Sequence, residues 1–285
     1  MQHLNNPIGD LEDELNQIHS FNFFKKRIKI RSDCESNPMV CYSTNETGII
    51  NKLYLRELNL KYVPKSIQKL VNLEELDLSF NDINDNYGDI LQLSNLRLLK
   101  LNKINCNEIH TSIAKLSHLE SLSLKLNKIS NTARLVEMSG LRELNLSGNK
   151  LKNIEPGITS LVNLKTLALD RNISIRIPDS FGDFTKLEYL NIANCEFSHI
   201  PHSVLTMRSL VSLNLYRNKL VEVNPEISKM ENLRFIYLNN NKLRSIPDDL
   251  MELPNLIKID LRRNKISKKQ QVVDKFKLKG IQVLI

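Results

Sequence analysis

Leu141-Arg-Glu-Leu-Asn-Leu-Ser-Gly-Asn-Lys-Leu151 sets leucine at its first, fourth, sixth and eleventh places, asparagine at its ninth, and polar residues at its third and fifth. The alternation of Leu144, Asn145 and Leu146 is that of a short strand with one side inward and one side outward. Further copies of the pattern start at Leu55, Leu73, Leu96, Leu119, Leu164, Leu187, Leu210, Leu233 and Leu256, and the ten starts are spaced 18, 23, 23, 22 and then five times 23 residues apart. A fixed period of this length predicts stacked repeats, because a single unit cannot bury its own leucines and must lean on its neighbours.

The chain must turn after each strand, and seven units carry asparagine at the ninth place: Asn81, Asn127, Asn149, Asn172, Asn218, Asn241 and Asn264. A carboxamide there can both donate to and accept from loop backbone that would otherwise be buried unpaired. The unit read from Leu55 is five residues short and lacks this asparagine, while Ile104 and Cys195 fill the slot in two others. A distorted outer loop is expected at each place, with Cys195 a small buried filler rather than a reactive thiol. Return segments such as Ile246-Pro-Asp-Asp-Leu-Met-Glu-Leu253 space apolar residues three or four apart after a Pro-Asp start, which suits a short helical turn.

With Leu73-Glu-Glu-Leu-Asp-Leu-Ser-Phe-Asn-Asp-Ile83 and the segment at Leu141, the chain resembles leucine-rich repeat proteins. The 23-residue unit with Ile177-Pro178, Ile200-Pro201 and Ile246-Pro247 is similar to the intracellular Ras-suppressor-like and scribble-like class. The resemblance runs from about Leu53 to Ile285. It implies an α/β solenoid, a horseshoe of about ten repeats with a parallel concave sheet, capped at both ends. It also implies a scaffold or signalling regulator, with a small GTPase, kinase or phosphatase as the partner type by analogy alone.

Three segments are expected: a cap over 1–52, repeats over 53–266 and a second cap over 267–285. Ile8, Leu11, Leu15 and Ile18 fall at helical spacing, and Phe23 to Ile30 alternates like a strand. At the other end Val272, Val273 and Phe276 fit one helix face, and Gly280 precedes a closing strand over Ile281–Ile285. Such a cap hides the open edge of the last coil.

No stretch of about 18 apolar residues occurs, so no membrane-spanning helix is expected. Residues 1–14 lack the basic-then-apolar layout of a secretory leader, which points to the cytoplasm. Cys34 and Cys41 are close enough in sequence for a bridged cap, yet in that compartment reduced thiols are expected. No phosphate-binding glycine loop, nucleophile elbow or paired Cys-x-x-Cys is present, so neither catalysis nor a cofactor is expected. His199 and His202 lie three apart, but nothing completes a ligand set and no metal is assigned.

Formal charge is +8, and Lys258–Lys279 holds nine basic residues against Asp260 and Asp274. Nucleic acid or an anionic membrane at this basic end is the alternative function, although no aromatic interleaving favours base stacking. A bacterial effector acting on a host protein is a further alternative. The favoured expectation is a monomeric protein-binding scaffold. Outward places of successive strands form ladders, and the second half gathers Tyr189, Tyr216, Phe235 and Tyr237 beside Arg171, Arg217, Arg262 and Arg263. Aromatics with arginine are the mixture enriched at the energetic centres of protein interfaces.

Overall fold

The computed structural model describes residues 6–20, 29–32, 34 and 39–285. The strand expected from Phe23 lies outside the described residues up to position 28. The chain forms two compact units, residues 1–129 and 130–285.

In the first unit, β1 (Val40–Thr44) runs antiparallel to β2 (Ile50–Leu55), and β2, β3 (Glu75–Asp77), β4 (Leu98–Lys100) and β5 (Ser121–Ser123) pair in parallel in chain order. In the second, β6 (Glu143–Asn145), β7 (Thr166–Ala168), β8 (Tyr189–Asn191), β9 (Ser212–Asn214), β10 (Phe235–Tyr237), β11 (Lys258–Asp260) and β12 (Gln282–Leu284) do the same. Each unit is an α/β solenoid of stacked coils. The leucines of the repeat form its core: Leu141, Leu144, Leu146 and Leu151 are all buried. Burying such a side chain is worth about 1.5–3 kcal/mol.

The pairing corrects the phase of the first coil. Leu53 sits opposite Leu76, so this coil begins at Ile50 and has the full 23-residue length. Leu55-Arg-Glu-Leu-Asn-Leu60 matches the first six places of the consensus only because leucines also fall at the sixth, ninth and eleventh places of the true coil. The outward residues of β2 are therefore Lys52 and Tyr54 rather than Glu57 and Asn59, the third and fifth places of a coil read from Leu55. Both bind the Glu75 carboxylate, at 2.7 and 2.8 Å.

The ninth-place asparagines are structural, as expected. Asn218 donates from Nδ2 to the carbonyls of Leu215 and Ile192, each at 3.0 Å, and accepts at Oδ1 from the amides of Cys195 and Phe197 at 3.0 and 3.1 Å. Each amide side chain thus ties its own turn to that of the preceding coil. Asn81 and Asn127 repeat the arrangement. Where Cys195 takes the slot, its thiol donates to Leu169 O at 3.4 Å, the same preceding-coil carbonyl an asparagine amide would reach, and to Ala193 O at 3.3 Å. Burial pushes this thiol up to about 12, so it stays protonated, as a filler should.

Immediately before that slot the backbone turns left-handed. Glu57, Phe80, Lys103, Leu126, Arg171, Asn194, Arg217, Asn240 and Arg263 all have φ between 50 and 64°, and Gly148 holds the same place at 66°. The loops expected to be distorted carry additional left-handed residues, Asn59 in the first coil, Asn105 after Ile104 and Glu196 after Cys195, and so do two preceding loops that keep the asparagine, at Asn84 and Ser174, whose amides donate to Ile104 O and Cys195 O.

Return segments form short 3-10 helices, such as Pro156–Ser160, Asp179–Asp183, Pro225–Lys229 and Asp248–Glu252, or the brief α2 (His202–Leu205). Each turns an apolar residue inward: Ile158, Phe181, Ile227, Leu250 and Val204 are buried. Helix α1 (Pro7–Ser20) buries Leu11 and Leu15, and Glu14 accepts from the backbone amides of Lys65 and Ser66 at 2.8 and 2.9 Å.

Cys34 and Cys41 form a disulfide, with Cα atoms 5.2 Å apart, which corrects the expected reduced thiols. The cause is local: Arg31 bridges β1 at Cys41, and the backbone amide of Tyr42 donates to Arg31 O at 2.8 Å, so the chain approaching Cys34 lies alongside the strand. At the far end α3 (Lys269–Leu278) buries Phe276, Gly280 turns at φ 72°, and β12 closes the sheet edge against β11.

Candidate protein-binding face

Coil geometry decides which side chains meet on the solvent side of the 130–285 unit. Register places Phe235 opposite Ser212, Ser212 opposite Tyr189, and Tyr237 opposite Asn214. Tyr189 and Phe235 are therefore two strands apart, about 10 Å, with the small Ser212 as the floor between them. Tyr189 is exposed (45%), whereas Phe235 and Tyr237 are half-buried and lie over the sheet. Tyr216 follows β9 by two residues, in the turn, and is half-buried. Register thus turns Tyr189, Phe235 and Tyr237 to one surface.

The arginines divide into two groups. Arg171, Arg217 and Arg263 occupy the left-handed turn position and are exposed; Arg171 lies 3.9 Å from the neighbouring Asp170. Arg262 is committed elsewhere: its Nε and a terminal nitrogen grip the buried Asp260 at 3.0 and 2.6 Å. That pair of hydrogen bonds raises the guanidinium's pKa further and makes Arg262 a part of the turn.

The fifth-place ladder is less free than its outward direction suggests. Asn145, Asn191, Asn214 and Asp260 accept from the backbone amides of Ser147, Ala193, Tyr216 and Arg262 at 3.0 to 3.1 Å, closing the turn that follows each strand. Tyr237 replaces this turn-closing residue in its own coil, which frees the ring for contact. Arg234, not among the expected residues, belongs to the patch: its guanidinium stacks 5.9 Å from the Phe235 ring centroid. Its place beside an aromatic at the strand entry is the sequence signal that would have found it.

The basic C-terminal end is partly neutralised. Lys275 pairs with Asp248 at 2.6 Å, Lys279 with Glu252 at 3.6 Å, and Arg262 with Asp260. His202 faces Glu226 at 3.1 Å and His199 bonds Ser198 at 3.0 Å, so the two histidines have separate partners. Among the described residues, no helix is long and apolar enough to cross a membrane.

Residues 139–197 and 208–266 match the family model described as leucine rich repeat. No curated protein matches the sequence. Among solved structures, an internalin (inlF) from Listeria monocytogenes superposes with a TM-score of 0.67 at 18% identity, covering 98% of this chain and 95% of its own, a likeness of fold alone. The plant peptide hormone receptor RGFR1, in complex with RGF2, gives a TM-score of 0.61 at 27% identity over 79% of this chain and 37% of its own. The LRR ectodomain of the Arabidopsis thaliana membrane receptor kinase GASSHO1/SCHENGEN3, in complex with Casparian strip integrity factor 2, gives 0.60 at 25% identity over 79% and 28%. The chain thus spans under two fifths of either plant receptor chain.

Proposed function

Because the chain is a leucine-rich repeat protein, we propose that it works without catalysis, as an interaction module whose protein partner seats on the solvent face of β8, β9 and β10. The observation that carries this is the register that sets Tyr189, Phe235 and Tyr237 on one surface with Tyr216 at its rim and Arg217 next to it. Outward strand positions are ordinarily small or polar, so a cluster of rings in adjacent coils is costly in solvation unless a partner covers it. Parallel stacking also fixes these side chains on rigid strands, so little conformational entropy is lost on binding.

RGFR1 and the GASSHO1/SCHENGEN3 ectodomain, which share this fold, are each seen in complex with a named factor, and that supports a binding role here. The Cys34–Cys41 bridge favours an oxidising compartment over the cytoplasm, where such bonds are reduced. A partner met outside the cytosol then fits better than the small GTPase, kinase or phosphatase suggested by the intracellular class.

The test is affinity capture with the intact protein and with a variant carrying Tyr189→Ser, Tyr216→Ser, Phe235→Ser and Tyr237→Ser, after circular dichroism has established that both are folded. A partner lost selectively from the variant, with affinity down by at least about 30-fold for a hot-spot cluster, supports the proposal. Unchanged recovery removes it.

A further inference from the structure

The arginines at the left-handed turn position recur with a period of their own. Arg171, Arg217 and Arg263 are separated by 46 residues each, which is two coils, and the intervening coils carry the uncharged Asn194 and Asn240 at the same place. Backbone bonds lock this row: the amide of Arg171 donates to Ala193 O, that of Asn194 to Tyr216 O and that of Arg217 to Asn239 O, at 2.8 to 3.0 Å, so the ladder of the sheet continues through the turn. With coils about 4.8 Å apart, successive arginines stand about 9.6 Å apart along the stack.

That distance has a match in peptide geometry. Three residues of polyproline II, one full turn, advance about 9.3 Å and bring every third side chain back to the same side, which a strand with its period of two does not. Resting on the proposal that this face binds a protein, we propose that the partner presents an extended segment lying across the coils, with an acidic side chain at every third residue facing Arg171, Arg217 and Arg263. Strain at the turn does not carry the inference, since Phe80, Lys103 and Leu126 adopt the same conformation in the other unit. The alternation of charge does. Arg262 takes no part because Asp260 holds it, and Tyr216 flanks the central arginine, so an apolar residue between the acidic ones would meet a ring.

The probes are two nine-residue fluorescent peptides of identical composition, (Glu-Pro-Pro)3 and Glu-Glu-Glu-(Pro)6, titrated against the full chain by fluorescence polarisation at low salt. Three exposed ion pairs acting in register correspond to about tenfold in Kd, so (Glu-Pro-Pro)3 is expected to bind about tenfold tighter than its block isomer. The preference should vanish in the Arg171→Gln, Arg217→Gln, Arg263→Gln variant and survive in Arg262→Gln. Equal binding of the two peptides, binding of neither, or a preference that persists in the triple variant overturns the inference. If the peptides are not discriminated while a captured partner is still lost from the four-aromatic variant, only the period falls. If capture survives that variant, the binding face itself falls.

Discussion

Asn218→Ala isolates the device that joins one coil to the next. The carboxamide makes four bonds to backbone, at 3.0, 3.0, 3.0 and 3.1 Å, and the residue is buried. Truncation leaves the carbonyl of Ile192 without a donor and the amides of Cys195 and Phe197 without an acceptor, while Leu215 O keeps the side-chain amide of Asn241 at 3.0 Å. At about 1 kcal/mol net per bond, the loss is about 4 kcal/mol. Urea unfolding followed by circular dichroism measures it, with Asn239→Ala in the turn of the following coil as a control expected to stay within about 0.5 kcal/mol. Native-state hydrogen exchange adds a local readout, because the Cys195 and Phe197 amides should exchange faster than their neighbours. A loss below about 1 kcal/mol for Asn218→Ala, the worth of a single bond, would refute the claim that these asparagines hold the stack together.

Three other outcomes follow from the same structure. Burial works against ionisation of Glu14, but its bonds to the Lys65 and Ser66 amides win and hold its pKa below the ordinary 4.5; its contribution is therefore full above pH 4.5 and fades as pH falls through the lowered value, and Glu14→Gln should abolish this pH dependence in α1 as followed by hydrogen exchange. Leu126 is 37% exposed at φ 59°, so Leu126→Gly should relieve about 1 kcal/mol of left-handed strain and leave stability level or slightly raised; a clear drop in the urea midpoint contradicts this. Thiol titration in denaturant should count two free cysteines before reduction and four after, with Cys106 and Cys195 unreactive in the native protein because burial pushes both up to about 12; four free thiols without reductant would remove the bridge.

The fold was legible where one physical demand repeats at every coil. Leucines at fixed places and asparagine at the ninth announce stacking and turn satisfaction, and Gly280 with Phe276 announces the closing cap. Legibility failed where the demand is met once. Leu55 to Leu60 imitates the consensus, and only pairing of Leu53 with Leu76 reveals the phase. The Cys34–Cys41 bridge depends on a neighbouring segment running beside β1, which no spacing encodes. At the candidate face the outward places of Tyr189, Phe235 and Tyr237 were readable because they follow directly from strand alternation. The hold of Asp260 on Arg262 was hidden because the carboxylate sits two residues back across a turn, and the turn-closing role of Asn145, Asn191 and Asn214 was hidden because a surface amide and a capping amide look alike in sequence.

The binding face is tested most directly by hydroxyl-radical footprinting of the protein alone and with its captured partner, read by mass spectrometry at individual rings. Tyr189, Tyr216, Phe235 and Tyr237 should be oxidised in the free protein and protected in the complex, while Tyr62, exposed in the other unit, reacts equally in both. Unchanged oxidation of the four rings, with protection appearing instead around the exposed Leu278 on α3, would contradict the account and move the interface to the C-terminal cap.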